Sequence, residues 1–168
     1  MNYQSNKPYP QPMVTSQNEY YAKLLLEDYA GAISETSAVM LYSHQHFTTD
    51  KIYPEYADLI HHISIVEMHH LELLGETILL LGNPARFESY QKETNSNIPW
   101  TSSNLNYAND MKTMLEADIS GETQAITQYR QHIEKINDPY IQQLLFRIIE
   151  DEIIHLNLFQ NLYQKIRQ

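Results

Sequence analysis

Ile65-Val66-Glu67-Met68-His69-His70-Leu71 is the stretch that decides how this chain is read. Glu67 and His70 stand three residues apart, so on a helix they share one face. Tyr56, Ile60, Ile63, Leu71, Leu74, Ile78 and Leu81 fall on the same stripe. A carboxylate and an imidazole therefore point toward an apolar core. A second Glu-x-x-His, Glu152-Ile153-Ile154-His155, lies on the stripe Ile141, Leu145, Ile148, Phe159 and Leu162. One such pair arises easily by chance. Two pairs directed inward need something to neutralise them, and a metal is the natural candidate.

The 168 residues suit one domain with a substantial core. Glycine is scarce, and the seven prolines lie outside the long periodic segments. Both facts point to an all-α protein. No apolar run approaches the roughly 20 residues of a membrane-spanning helix. Met1 to Gln17 is polar and proline-bearing, without the apolar segment of a signal peptide. A cytoplasmic protein with no membrane partner is expected. Cysteine is absent, which excludes disulfides, thiolate metal sites and redox thiols. The net charge of −10 disfavours nucleic acid as a partner.

Residues 1–16 are rich in Tyr, Gln, Asn, Ser and Pro without periodicity, and are expected to be a tail, either disordered or draped over a neighbouring subunit. The bundle is expected over 17–168. Ser16 with Glu19 forms a capping-box pattern. The first helix is expected over 17–47, with Leu25, Asp28, Ala32, Glu35, Val39, Tyr42 and His46 inward and Glu35 in mid-helix. A second helix runs from Pro54 to Leu81 and is stopped by Gly82-Asn83-Pro84. A third is expected over 107–136, with Asp118 and Glu122 on its inward stripe. A fourth starts at Asp138-Pro139 and continues to Lys165. Residues 83–106 are expected to be irregular. A helix of about 28 residues is roughly 42 Å long, and a stretch this long can return the chain along it, so that helices two and three run parallel. Trp100 is expected to anchor this crossover.

Helix one and helix three repeat each other. Glu35-Thr36-Ser37-Ala38-Val39-Met40-Leu41-Tyr42 matches Glu122-Thr123-Gln124-Ala125-Ile126-Thr127-Gln128-Tyr129 in register. Helices two and four share Glu-x-x-His-Leu. The offsets are 87 residues (Glu35 to Glu122) and 85 (Glu67 to Glu152). Each half thus supplies one Glu and one Glu-x-x-His. A Glu from two helices and Glu-x-x-His from the other two is the inventory of a dimetal carboxylate site in a four-helix bundle. Four carboxylates balance two divalent cations, and oxygen ligands with imidazole suit iron or manganese. Asp28 and Asp118 are not expected to be ligands. His44, His46, His61, His62, His69 and His132 are off the motif and expected at the surface or at subunit contacts.

On these six residues the chain resembles the ferritin-like superfamily of di-iron carboxylate proteins, the rubrerythrins, bacterioferritins and their relatives, over about residues 17–165. The resemblance implies an antiparallel four-helix bundle with a long crossover between helices two and three. By it, Glu35 and Glu122 are terminal or bridging ligands, Glu67 and Glu152 bridge two ions, and His70 and His155 cap one ion each. Tyr42 and Tyr129 match tyrosines that support such sites, and Asp151 matches an acid that orients a ligand histidine. Its counterpart Val66 cannot do this. The implied activity is a di-iron oxidoreductase acting on peroxide or O2, with an external electron donor because no cysteine-rich electron-transfer domain is present. Manganese, or a mixed Fe/Mn pair, is the alternative cofactor. The alternative functions are a ferroxidase of the iron-storage kind, a manganese-catalase-like enzyme, and a non-catalytic spore-coat relative. Ile119 and Ala125 stand where rubrerythrins carry an extra glutamate. Met68 matches a haem-binding methionine of bacterioferritins, but haem is not expected. Tyr- and Met-rich outer faces suggest a homodimer or larger homo-oligomer.

Overall fold

The computed structural model describes residues 2–92 and 94–167. Five helices form a four-helix bundle: α1 (Glu19–Ala30) and α2 (Glu35–Thr49) in tandem, α3 (Pro54–Leu80), α4 (Met111–Lys135) and α5 (Pro139–Ile166). α2 packs mainly on α3 and α4 mainly on α5, so each sequence repeat is one helix pair. Among the described residues no helix is long and apolar enough to cross a membrane.

The apolar core has two clusters. One joins α1, Leu71–Leu81, Ile126–Ile136 and Ile141–Ile149. The other joins Tyr42, Tyr56–Ile63, Met114, Leu115, Phe159 and Leu162. α3 and α4 each pass from the second cluster to the first, whereas α5 passes from the first to the second. α3 and α4 therefore run in the same direction, and the connection between them must travel the length of the bundle. Glu67, His70, Glu122, Glu152 and His155 occupy the layer between the two clusters. Hydrophobic burial above and below is what holds those polar groups away from water.

The crossover differs from the irregular stretch expected. Strands β1 (Glu88–Gln91) and β2 (Ser96–Pro99) form an antiparallel hairpin, with Tyr90 opposite Asn97, and a short 3-10 turn follows at Ser102–Asn104. Asn95 takes the left-handed conformation in the turn, at φ 51°. The hairpin lies on α1: Phe87 stacks on Tyr29 at 5.3 Å and Lys23 sits 4.5 Å over the Tyr90 ring. Trp100 anchors the end of the crossover, donating from its indole N–H to Ser37 Oγ at 2.9 Å.

The first helix is not continuous over 17–47. It starts at Glu19 with Asn18 as its cap, the Asn18 side chain accepting from Tyr21 N, because Ser16 lies outside the first turn. It stops at Gly31, whose N–H closes on Glu27 O at 2.9 Å. A Cβ at Gly31 would lie 2.5 Å from that oxygen. Ser34 then caps α2 by accepting from Ser37 N. The carbonyls released by the break are met by side chains. Thr36 donates to Tyr29 O at 2.6 Å, Ser34 to Gly31 O at 2.8 Å and Gln128 to Ile33 O at 3.1 Å. Glu35 is consequently the first residue of α2 rather than a mid-helix residue. α4 likewise begins later than expected, where Asp110 accepts from Thr113 N.

His132 departs from the expected surface position, being 1% exposed. Its Nδ1 lies 2.8 Å from Asp28 and its Nε2 3.1 Å from Glu27. Burial alone would depress its pKa, but the two carboxylates prevail and raise it to about 9. The unfolded value is near 6.5, so the stability from the charged pair is complete below that pH and lost as pH rises through about 9. Thermal melts of the chain and of His132→Gln should therefore converge at alkaline pH. The advantage of the natural residue shrinks by up to about 3 kcal/mol across that window.

Candidate metal centre

Six side chains from four helices meet in the polar layer. Glu67 and His70 come from α3, Glu152 and His155 from α5, Glu35 from the start of α2, and Glu122 from the middle of α4. None is more than 4% exposed. Their ligand atoms form two groups within 4.8 Å: Glu35, Glu67, His70 and Glu152, and Glu67, Glu122, Glu152 and His155. Glu67 and Glu152 belong to both. All six residues singled out in the sequence are thus brought together, and Asp28 and Asp118 belong to neither group.

His70 Nδ1 lies 2.9 Å from Glu67 Oε2, 3.0 Å from Glu152 Oε1 and 3.8 Å from Glu35 Oε1. His155 Nδ1 lies 2.9 Å from Glu67 Oε1 and 3.3 Å from Glu152 Oε2. The other ring nitrogens face groups that can only accept. His70 Nε2 lies 3.1 Å from Asp151 Oδ2 and His155 Nε2 lies 2.9 Å from the Tyr3 carbonyl. Both Nε2 atoms therefore carry the proton, and a neutral ring turns a bare Nδ1 lone pair toward carboxylate oxygens. That arrangement is repulsive unless a metal cation, or a proton on Nδ1, lies between them. Glu67 Oε1 and Glu152 Oε1 accept no hydrogen bond, although an imidazole nitrogen lies within 3.0 Å of each. Unbonded buried carboxylate oxygens facing ring nitrogens fit a pair of metal ions, and the all-oxygen and imidazole donor set fits manganese or iron.

The tyrosines cross between the repeats. Tyr42 donates to Glu122 Oε1 at 2.5 Å, and Tyr129 donates to Glu35 Oε1. Each Glu is therefore held by the tyrosine of the opposite half. Asp151 lies beside His70, and its own helix supplies Arg147, 2.6 Å from Asp151 Oδ1. The place that Val66 cannot fill is taken by a backbone carbonyl of the N-terminal segment.

Burial and mutual repulsion set the proton affinities of these groups. Burial raises Glu35 well above the ordinary carboxylate range, reinforced by Glu67 and Glu152. Burial raises Glu122 in the same way, reinforced by Glu152 and Glu67. Burial opposes charge on the histidines, yet Asp151, Glu152 and Glu67 raise His70, and Glu67 with Glu152 raises His155 to about 10. Burial also pushes Glu67 and Glu152 upward, but the imidazoles override it and hold both below the usual value. These directions bias Glu35 and Glu122 toward the acid, Glu67 and Glu152 toward the carboxylate and both imidazoles toward the cation. Four carboxylates, two neutral rings and two divalent ions sum to zero.

A cavity of about 250 Å³ reaches Glu35, Glu67, Glu122 and Glu152 from between α2 and α4, with Leu105 of the crossover at its wall. Asp28 and Asp118 also line it. Asp118 accepts from Gln45 at 2.9 Å and Tyr56 at 2.7 Å, and burial pushes its carboxyl up to about 7. The sequence placed Asp28 and Asp118 inward, but their partners are more than 60 residues away in the chain and carry no local pattern.

The ferritin-like domain family matches residues 25–168. The chain belongs to that family. This ferritin-like chain is 27% identical over 173 residues to a probable manganese catalase of Clostridium acetobutylicum, covering 94% of the chain and 76% of the relative. It is 26% identical over 183 residues to the protein CotJC of Bacillus subtilis, covering 99% of the chain and 94% of the relative. Among solved structures, the manganese catalase KatB from Anabaena superposes with a TM-score of 0.84 at 26% identity, covering 99% of this chain and 81% of that one. The Mycobacterium tuberculosis bacterioferritin BfrA superposes with a TM-score of 0.73 at 21% identity, covering 91% and 89%, a likeness of fold.

Metal loading should displace protons from these groups. Calorimetric titration with Mn(II) in buffers of different ionisation enthalpy is expected to show net proton release on binding near pH 7. Apparent affinity should rise steeply with pH. Proton release near zero would mean that the six groups do not take part in binding.

Proposed function

We propose that this chain is a dimanganese enzyme that disproportionates hydrogen peroxide to water and O2. The observation that carries the reading is the convergence of six metal-binding side chains in a dry layer that opens on a cavity. Similarity at 26–27% identity to a probable manganese catalase and to KatB, along nearly the whole chain, supports manganese over iron. The relatives move the finer reading away from the rubrerythrin-type reduction, which needs an external donor. In disproportionation one peroxide gives up two electrons and two protons and leaves as O2. The other takes up those two electrons and two protons and leaves as two waters.

Glu67 and Glu152, shared by both ligand groups, are the proposed bridges. Glu35 with His70, and Glu122 with His155, would complete one ion each. Two manganese ions held there would supply reversible two-electron redox chemistry. The chain's own part is positional. Tyr129 and Tyr42 hold the Glu35 and Glu122 carboxylates in one rotamer, and the two apolar clusters exclude bulk water. The wall of the cavity between α2 and α4 admits a small uncharged substrate such as peroxide. Exposed Ile65, Met68 and Leu79 along α3 support a homo-oligomer.

Manganese-loaded protein should evolve one O2 per two peroxides with no reductant present, measured with an oxygen electrode. Glu122→Ala should lose the second ion and at least about 100-fold in turnover, since the lost group is a direct ligand. Peroxide consumption that needs an added reductant and yields no O2 would sink the catalase reading.

A further inference from the structure

Residues 3–9 contain no proposed ligand, yet they lie across the outer faces of α3 and α5, where both ligand imidazoles receive their second hydrogen bond. Their contacts divide into two sets. At His155, the Tyr3 carbonyl is the partner of Nε2 at 2.9 Å, and the Tyr3 ring stacks on His62 at 4.6 Å. At His70, the support passes through Asp151. Asp151 Oδ2 takes His70 Nε2 at 3.1 Å and also receives the Tyr9 hydroxyl, while Asp151 Oδ1 receives the Ser5 N–H at 2.6 Å. The Tyr9 oxygen is itself 3.4 Å from His70 Nε2.

The segment is fastened independently of the histidines. Arg147 donates to Ser5 O and Lys7 O, each at 3.0 Å, and lies 4.0 Å over the Tyr9 ring. Ser5 Oγ donates to Glu150 at 3.1 Å, and Lys7 pairs with the same carboxylate. Such anchoring is more than a peptide needs merely to cover apolar surface. It fixes one backbone carbonyl opposite one imidazole and saturates one buried carboxylate opposite the other.

We infer that residues 3–9 form a strap that governs metal retention, holding His155 through the Tyr3 carbonyl and His70 through Asp151, so that the two ions can be loosened separately. This rests on the dimetal reading of the site. An imidazole that ligates through Nδ1 is aimed by the acceptor opposite its Nε2. If the Tyr3 carbonyl is removed, the His155 ring loses the acceptor that aims it, and its Nδ1 is free to turn away from Glu67 and Glu152. Loss of such an outer hydrogen bond costs about 10–100-fold in metal affinity. The same repeat that makes the ligands symmetric is broken here, because Asp151 has Val66 as its counterpart and the strap supplies what Val66 lacks.

The test is Mn(II) equilibrium dialysis with EPR on the full chain, on a deletion of residues 2–4, on Tyr3→Phe and on Tyr9→Phe, with far-UV circular dichroism to verify the helices. The unaltered chain should bind two ions with a coupled spectrum. The deletion should keep one ion and bind the other about 10–100-fold more weakly, showing the six-line signal of an isolated ion. Tyr3→Phe should load like the unaltered chain, because the carbonyl remains. Tyr9→Phe should weaken one ion several-fold. If the deletion binds both ions unchanged, or weakens both equally as a mere packing clamp would, the strap inference fails. Should the deletion not fold, Tyr9→Phe decides alone, and unaltered affinity overturns the inference. An unaltered chain that does not bind two ions overturns the dimetal reading itself.

Discussion

Four glutamates and two histidines in a layer with almost no solvent access form the constraint that the rest of this structure answers to. An uncompensated carboxylate in such a place costs far more than any single packing contact contributes. The cluster is tolerable only with matching cations, which are protons or, in the proposed reading, metal ions. The apolar clusters on either side make the site dry. That dryness makes the pairing strong and raises the penalty for any group left unpaired. Core and site are therefore one arrangement: the leucines and isoleucines of α3 and α5 set the depth at which the ligands sit.

Two irregularities make that layer possible. The break between α1 and α2 turns Glu35 into the first residue of a new helix, where its carboxylate accepts from the Tyr129 hydroxyl and faces His70. Thr36, Ser34 and Gln128 cover the carbonyls that the break exposes, so the interruption leaves few polar groups unmet. The second irregularity is the crossover. Parallel α3 and α4 cannot be joined by a short turn, and the hairpin over 88–99 gives the returning chain backbone partners that an irregular segment would lack. Its anchor, Trp100, bonds to Ser37 in the first turn of α2, two residues from Glu35.

The two halves of the site are alike in their ligands and unlike in their support. Tyr42 and Tyr129 exchange partners across the pseudo-twofold, so each repeat is incomplete without the other. The histidines break the symmetry, since Asp151 serves His70 from within a helix and Tyr3 serves His155 from outside the bundle. The N-terminal segment, expected as a loose or intermolecular tail, drapes over its own chain instead. Its aromatic rings lie against His62, His69 and His70.

The sequence alone determined the four-helix bundle, the twofold repeat and the six candidate ligands. Helical periodicity and the i, i+3 spacing of Glu-x-x-His are local properties that any stretch of chain carries with it. The direction of the crossover was also legible, because a connection of that length has a geometric reason. Only the tertiary structure decided the rest. Gly31 and Ser34 stand in the sequence, but whether they bend a helix or break it depends on Thr36 and Gln128 reaching the freed carbonyls. His132 reads as a surface residue until Asp28 and Glu27 are placed opposite it, about a hundred residues away in the chain. The Tyr3 carbonyl has no side-chain identity at all, so no residue pattern could have marked it. Its role exists only where residues 3–9 cross α5, because a backbone acceptor gains chemical meaning from the donor that folding sets against it.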